Sequence, residues 1–159
     1  QRQMCIRDSG FFNLEVFGKA DRVVYLAAYL YHYRRDGSSS VTSGYKPRLY
    51  DQWQTLYDRM EAIIRSNQLG SEYEAALNNR IALGILGLGL NITVSTQSMG
   101  KKVKDIHRII RQERYRKAYK NLPLNYFPIH WKLFYGCARH GFALGVYVLL
   151  TVIQRIISR

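Results

Sequence analysis

Few residues in this chain have the types and spacing that catalysis or metal binding requires. Its four histidines show no metal-ligand spacing and no neighbouring carboxylate motif: His32, His107, His130 and His140. The sequence contains no HExxH helix, no Walker phosphate loop and no GxGxxG turn. Two cysteines are too few for a disulfide framework or a multi-cysteine zinc site. The sequence therefore predicts no metal site and no catalytic residue in this chain.

One segment has the composition of an anion site. Residues 31–43 read YHYRRDGSSSVTS. A strand that delivers His32 and Arg34 into a loop with Ser38 and Ser39 can hold a phosphate by charge-assisted hydrogen bonds. A solvated strand end explains the same residues equally well, so both interpretations stay open at this point.

Two further motifs have ordinary explanations. Cys137 is close to Arg139 and His140, which could lower the pKa of its thiol, but a structural thiol is the favoured interpretation. The segment Asn91-Ile92-Thr93 matches the N-glycosylation sequon. Because this segment is apolar, we interpret the match as a coincidence.

The elements that would position these residues change character near Pro47. Before it, Phe11–Ala20 has helical spacing, whereas Val23–Leu26 and Tyr29–Arg34 have the β-branched, aromatic or alternating pattern of strands. After it, an apolar stripe at helical spacing begins, Leu69-Gly70 is a predicted helix stop, and Ser71–Glu74 resembles a capping box. We expect an α+β fold that is mostly α: a short helix–strand–strand unit over residues 10–45, then a helical extension over residues 46–159.

The second half of the chain is strongly basic. Residues 81–159 contain 13 basic and 2 acidic side chains, whereas residues 1–80 contain 11 and 9. Lys101–Lys120 has the pattern of one basic amphipathic helix, and a last apolar helix is expected over about Cys137–Ser158. Its uncharged run, from Gly141 to Gln154, has 14 residues and is shorter than the roughly 18–20 that a spanning helix needs, so the helix is expected to lie in the membrane interface or to pack on the preceding helices. An anionic membrane surface is the predicted partner, contacted by these residues: Lys101, Lys102, Lys104, Arg108, Arg111 and Trp131.

The first half contains the ordered motifs of a known family. Residues 12–17 (FNLEVF), a Lys19-Ala20 step, residues 23–26 (VVYL), residues 30–34 (LYHYR) and residues 38–42 (SSSVT) occur in this order. Together they resemble the closing segment of bacterial family-2 glycosyltransferases over residues 10–43. Residues 1–9 (QRQMCIRDS) are similar instead to a translated sequencing-adapter remnant, and we exclude them from the fold.

The resemblance implies a GT-A fold whose complete enzyme uses a nucleotide-sugar donor, a divalent metal (Mg²⁺ or Mn²⁺) on a D-x-D motif and an acidic general base. By the family's spacing, the acidic pair would fall at Asp8 and Ser9, inside the excluded tail, so the base and the donor-binding half are expected to be missing here. By resemblance, His32, Arg34, Ser38 and Ser39 lie near the donor diphosphate. No cofactor is expected in this chain itself.

The sequence therefore predicts an inactive carboxy-terminal fragment of a glycosyltransferase for cell-surface polysaccharide. The complete enzyme would act on a lipid-linked or saccharide acceptor at the cytoplasmic face of the bacterial membrane. Two alternatives are a nucleic-acid-binding module, which does not explain the apolar last helix, and a membrane-surface adaptor, which does not explain residues 10–43. We expect no nucleic-acid partner.

Overall fold

The computed structural model describes residues 13, 16–28 and 44–157 of the chain. Within them the regular elements are all helical: α1 (Leu49–Ser66), α2 (Ser71–Thr93), α3 (Met99–Ile110), α4 (Glu113–Asn121), a 3₁₀ turn (Leu124–Tyr126), α5 (Ile129–His140) and α6 (Ala143–Ile157). The fold of the described part is all-α, so the α+β prediction is wrong. The helical extension that was expected after residue 46 is confirmed.

The first predicted strand does not form. Residues 16–19 are helical, as expected, but Val23–Leu26 has no regular structure, and Tyr25 is 89% exposed. A β-branched, aromatic sequence becomes a strand only when a neighbouring strand pairs with it and buries one face, and no such partner exists in the described residues. The second predicted strand, Tyr29–Arg34, lies outside the described residues.

Helix α1 begins and ends close to the predicted positions, but its stop uses a different residue. The amide of Leu69 donates to the carbonyl of Ile64, and that of Gln68 donates to Arg65, which is the Schellman arrangement. Gln68 has φ 49° and takes the left-handed position, whereas Gly70, the predicted one, has φ −66° and precedes α2. The predicted glycine stop is therefore wrong by two residues.

The residue that precedes α2 is Gly70, not the Ser71 that the capping-box prediction placed there. Ser71 is already the first helical residue, and no side chain caps the amide groups through a hydrogen bond. A Cβ on Gly70 would clash with the Glu72 carboxylate. The absence of that Cβ lets an acidic group lie over the positive end of α2, which stabilises the helix.

Helix α2 is the centre of the bundle and packs against α1, α3, α4 and α6. Its glycines let two neighbours approach closely: Gly84 faces Trp53 and Tyr57 of α1, and Gly89 faces Leu150 of α6. Among the described helices, α2 is the one long and apolar enough to cross a membrane by length and composition. Its many contacts with neighbouring helices equally fit a core helix.

Two predicted long helices are each divided in two. The basic segment Lys101–Lys120 breaks at Arg111 and Gln112, between α3 and α4. The last helix breaks at Gly141, which has φ 76° and closes α5 with a second Schellman arrangement: the Phe142 amide donates to Cys137 at 2.8 Å. These breaks let α4 and α6 fold back on α2 and α3, and let α5 pack against α4 and α6.

The core is unusually rich in tyrosine. The rings of Tyr57, Tyr115, Tyr119 and Tyr135 are all at most 3% exposed and lie among isoleucines of α2 and α3. Burial raises the pKa of Tyr115 and of Tyr135 to about 12, and raises that of Tyr119 well above 10. These side chains stay protonated and act as large apolar groups that join α1, α4 and α5.

Candidate membrane-binding surface

Helix α6 has an exposed stripe of aliphatic side chains. Leu144, Val148, Val152 and Ile156 recur every four residues and are 43–69% exposed. The opposite side of the helix buries Ala143, Val146 and Leu150 against the bundle. Since only one face of α6 is needed for the core, the second apolar face has no structural role inside the described chain.

Helix α5 and the turn that follows it extend this apolar stripe. Ile129 and Leu133 lie one turn apart on the outward side of α5 and are 80% and 58% exposed, and Phe142 is also exposed. A Cβ on Gly145 would meet the Phe142 ring at 2.5 Å and the Cys137 Sγ at 3.0 Å. Helices α5 and α6 therefore come close to each other at Gly145. We call the seven side chains named here and in the preceding stripe the apolar face: Ile129, Leu133, Phe142, Leu144, Val148, Val152 and Ile156.

A row of cations on α3 leads to one side of the apolar face. Lys101, Lys104, Arg108 and Arg111 are spaced by three or four residues and are exposed on one side of the helix. At the end of this row, the Arg111 guanidinium lies over Gly141, where a Cβ would meet its Nε at 2.7 Å. The row therefore ends at the turn before Phe142, and positive charge meets exposed apolar surface there.

Two of the predicted membrane contacts have structural partners instead. Lys102 Nζ donates to the Thr93 carbonyl at 2.9 Å and satisfies the carboxyl end of α2. Trp131 is half-buried and stacks on Tyr135 with ring centroids 6.1 Å apart. Their membrane contacts stay a prediction, whereas Lys101, Lys104, Arg108 and Arg111 lie where a surface could reach them.

Arg114 is also held inside the bundle. Its guanidinium binds the Asp58 carboxylate, approaches Glu61 Oε1 at 3.6 Å, and donates to Gln54 at 2.9 Å. These contacts join α4 to α1, so the positive charge of this segment is only partly available to a partner.

A basic cleft lies between α4 and α5. Arg116, Lys117 and Lys120 of α4 and Arg139 of α5 line it, with Glu113 as its one lining carboxylate. Arg139 donates from Nε to the Tyr119 carbonyl at 2.9 Å and from Nη2 to the Leu122 carbonyl at 2.8 Å. These bonds stabilise the carboxyl end of α4 and fix the guanidinium at the edge of the cleft.

Acidic side chains do little to reduce the charge of this region. Residues 81–159 contain two, Asp105 and Glu113. Asp105 pairs with Arg108 at 3.1 Å and more loosely with Lys101 at 3.9 Å, along the exposed side of α3. The Lys101 and Arg108 side chains are exposed, whereas that of Asp105 is 13% exposed, so a partner's anionic groups could reach the cations and compete for them.

The described residues contain no group of three or more His, Cys, Asp or Glu side chains that could hold a metal ion. The residues predicted to lie near a donor diphosphate, His32, Arg34, Ser38 and Ser39, lie outside the described part, so their role stays a prediction. Sequence reasoning missed the apolar face, although the four-residue spacing of its α6 members is visible once the core positions of that helix are known.

No family model, no curated protein and no solved structure matches this chain. The resemblance to family-2 glycosyltransferases therefore depends on the quoted residues of the first half alone.

Proposed function

We propose that the helical bundle of residues 44–157 is a peripheral membrane-binding domain that holds its chain on an anionic bilayer. The observation that carries the proposal is the apolar face of α5 and α6, which meets the cationic row of α3 at Arg111 and Gly141. An exposed apolar patch of this kind marks an interaction site, and adjacent cations favour a surface of anionic headgroups.

The two parts of this surface contribute in different ways. Burial of apolar area stabilises the bound state by about 25 cal/mol per Å² and is nearly independent of salt. Each Lys or Arg near an anionic bilayer contributes about 1 kcal/mol, which falls as ionic strength rises. We therefore expect binding that salt weakens and does not abolish.

We propose further that the chain is the carboxy-terminal part of a family-2 glycosyltransferase for cell-surface polysaccharide. This proposal is supported by the ordered motifs of residues 10–43. In the complete enzyme, a nucleotide-sugar and a divalent metal would occupy the missing half, and the helical domain would hold the active site at the cytoplasmic face of the membrane. The bundle alone would have no transferase activity.

The membrane proposal is tested by co-sedimentation of the full chain with phosphatidylcholine vesicles that contain or lack phosphatidylserine. We expect stronger binding to the anionic vesicles, and partial retention when ionic strength is raised from about 0.1 M to about 1 M. The double variant Val148→Ser, Val152→Ser should lose most of the salt-resistant binding. Leu83→Ser is the matched control, because Leu83 is exposed on α2, outside the apolar face.

Two results would contradict the membrane proposal. If the chain bound duplex DNA or single-stranded RNA tightly and bound both kinds of vesicle poorly, the function of the basic helices would be nucleic-acid binding. If sedimentation velocity showed a dimer that the Val148→Ser, Val152→Ser variant dissociates, with no vesicle binding, the apolar face would instead bind a second copy of the chain.

The glycosyltransferase proposal has its own test. Codons upstream of Gly10 in the source genome should encode a D-x-D motif and an acidic pair in place of Asp8 and Ser9, two residues before the segment FNLEVF. In that complete enzyme, Arg34→Ala should weaken nucleotide-sugar binding about tenfold or more, because a charge-assisted hydrogen bond contributes roughly 1.5–3 kcal/mol. If the Arg34→Ala enzyme bound the nucleotide-sugar as tightly as the native enzyme, Arg34 would not contact the donor diphosphate and would be a solvent-exposed residue.

A further inference from the structure

The cleft between α4 and α5 has features of a binding site that the membrane proposal does not require. It is an open depression of about 740 Å³ lined by Arg116, Lys117, Lys120 and Arg139, with Glu113 as its only lining carboxylate. The lining therefore has four cations against one anion. A depression with this excess of positive charge attracts anions more strongly than an evenly basic surface does.

One wall of the cleft is fixed before any ligand binds. The two hydrogen bonds of Arg139 to the carbonyls of Tyr119 and Leu122 use Nε and Nη2. Among the residues that the structure describes, these are the polar contacts of this guanidinium, and they leave Nη1 for a ligand. Because the side chain is already ordered, binding an anion there costs less conformational entropy than it would at a free arginine.

The opposite wall supplies mobile charge. Arg116 and Lys120 lie one helical turn apart on the outward face of α4, and Lys117 lies between them, while the inward face buries Tyr115 and Tyr119. Guanidinium groups favour phosphate oxygens through paired hydrogen bonds, and lysines add charge without fixed geometry. This combination suits a group with several oxygens and more than one negative charge.

The cleft and the apolar face share helix α5, which carries Arg139 as well as Ile129 and Leu133. Arg139 and Lys132 are seven residues apart on one side of α5, beside the outward residues Ile129 and Leu133. A bilayer that contacted those two apolar side chains would lie against the helix that carries Arg139, so lipid phosphates are one source of a ligand for the cleft. We propose that the cleft binds a polyvalent phosphate, a phosphomonoester or diphosphate group, when the domain lies on a membrane. This proposal depends on the proposed membrane function only for where the phosphate comes from, a lipid headgroup. The preference of the cleft for phosphate follows from its own cationic side chains.

The test compares vesicles of phosphatidic acid, a phosphomonoester, with vesicles of phosphatidylglycerol, a phosphodiester, at matched zeta potential. A second arm titrates the full chain with inorganic pyrophosphate by calorimetry. We expect about tenfold tighter binding to phosphatidic acid, the preference that one additional charge-assisted hydrogen bond produces. We also expect saturable binding of pyrophosphate in the calorimeter. Added pyrophosphate should compete with phosphatidic acid for the cleft and reduce the preference for those vesicles.

The variant Arg116→Gln, Lys120→Gln should abolish both the preference and the pyrophosphate signal. Both side chains are exposed, so circular dichroism should show unchanged helicity. The control Lys101→Gln, Lys104→Gln removes the same charge from α3 and should weaken binding to both vesicles equally while the pyrophosphate signal stays.

The outcomes separate this proposal from the membrane function. Equal binding to both vesicles with no pyrophosphate signal would overturn the cleft proposal and leave the membrane function intact. A pyrophosphate signal without vesicle binding would support the cleft with a soluble phosphate ligand and contradict the membrane function. If the two double variants lost vesicle binding and pyrophosphate binding to the same extent, total charge alone would determine binding and the cleft proposal would be overturned.

Discussion

The side chain of Asn91 pairs with both backbone polar groups of Lys46. The Lys46 amide donates to Asn91 Oδ1 at 2.8 Å, and Asn91 Nδ2 donates to the Lys46 carbonyl at 2.9 Å. The Asn91 side chain thus accepts one hydrogen bond from the Lys46 backbone and donates one to it, as a neighbouring β-strand would. This pair of bonds holds the segment before α1 against the carboxyl end of α2. Because Nδ2 is the atom that a glycan would occupy, the pairing agrees with the interpretation of this sequon as a coincidence.

Asn91→Ala should lower the free energy of unfolding by about 1–2 kcal/mol, because it removes two partly buried hydrogen bonds. Urea denaturation followed by circular dichroism measures the change. Asn91→Asp is the matched control, since a carboxylate can still accept from the Lys46 amide and cannot donate to its carbonyl. Its second carboxylate oxygen would face the Lys46 carbonyl oxygen with no proton between them, so Asn91→Asp should lose at least as much stability as Asn91→Ala. If both variants were as stable as the native chain, the pairing would have no energetic role.

The two glycines of α5 should respond to alanine in opposite directions. Gly141→Ala forces a Cβ into the left-handed region at φ 76° and should cost about 1–2 kcal/mol. Gly136 lies inside α5 with no atom within 4 Å of a Cβ, so Gly136→Ala should stabilise the chain by about 0.5–1 kcal/mol. Thermal unfolding of the two variants gives the comparison. Losses of equal size would contradict the assignment of Gly141 as the helix stop.

Tyr119→Phe should leave stability unchanged or raise it. The Tyr119 hydroxyl is buried and meets no hydrogen-bond partner within the described residues, and a buried unpaired polar group costs about 1–3 kcal/mol. Tyr50→Phe is the control, because the Tyr50 hydroxyl donates to Gln112 Oε1 and its removal should destabilise the chain by about 1 kcal/mol. Chemical denaturation that showed a larger loss for Tyr119→Phe than for Tyr50→Phe would mean that the buried hydroxyl has a partner.

The buried tyrosines should make the chain sensitive to alkaline pH. In the unfolded chain they ionise near pH 10, whereas burial raises the folded pKa of Tyr115 and of Tyr135 to about 12 and that of Tyr119 further. The folded state then holds more protons, so their contribution is complete below pH 10 and is lost as pH rises. Each should reduce stability by about 1.4 kcal/mol per pH unit above 10.

Urea denaturation between about pH 9 and about pH 11 tests this alkaline effect, since the unfolded tyrosine pKa of about 10 lies within that interval. The variant Tyr119→Phe should show a shallower decline than the native chain. A decline of the same slope in both would assign the effect to other groups.

The sequence predicted the helical half of the chain well because its signals are local. The stripe that includes Tyr57, Met60 and Ile64 has the period of a helix that buries one side, and those residues are buried. The strand predicted from the β-like pattern of Val23–Leu26 was wrong, because a strand depends on a partner strand, and propensity alone does not supply one.

The helix stops were harder to predict than the helices. Gly141 adopts the left-handed conformation, but at the end of α1 that conformation belongs to Gln68, although Gly70 is only two residues away. The packing of Leu69 and the start of α2 determine where the chain turns, and these are tertiary effects. The candidate surface was equally hidden, because a pattern of apolar residues does not state which of two apolar faces the bundle covers.

The short side chains of the α6 stripe have a mechanical consequence for a bilayer. Two valines, a leucine and an isoleucine on one side of a helix that lies in the membrane plane would reach only the outermost part of the acyl chains. Such a helix would act as a shallow wedge that widens one leaflet and leaves the other unchanged. The domain should consequently collect on convex membrane and on lipids with loose headgroup packing, so small sonicated vesicles should bind it better than large extruded vesicles of the same composition.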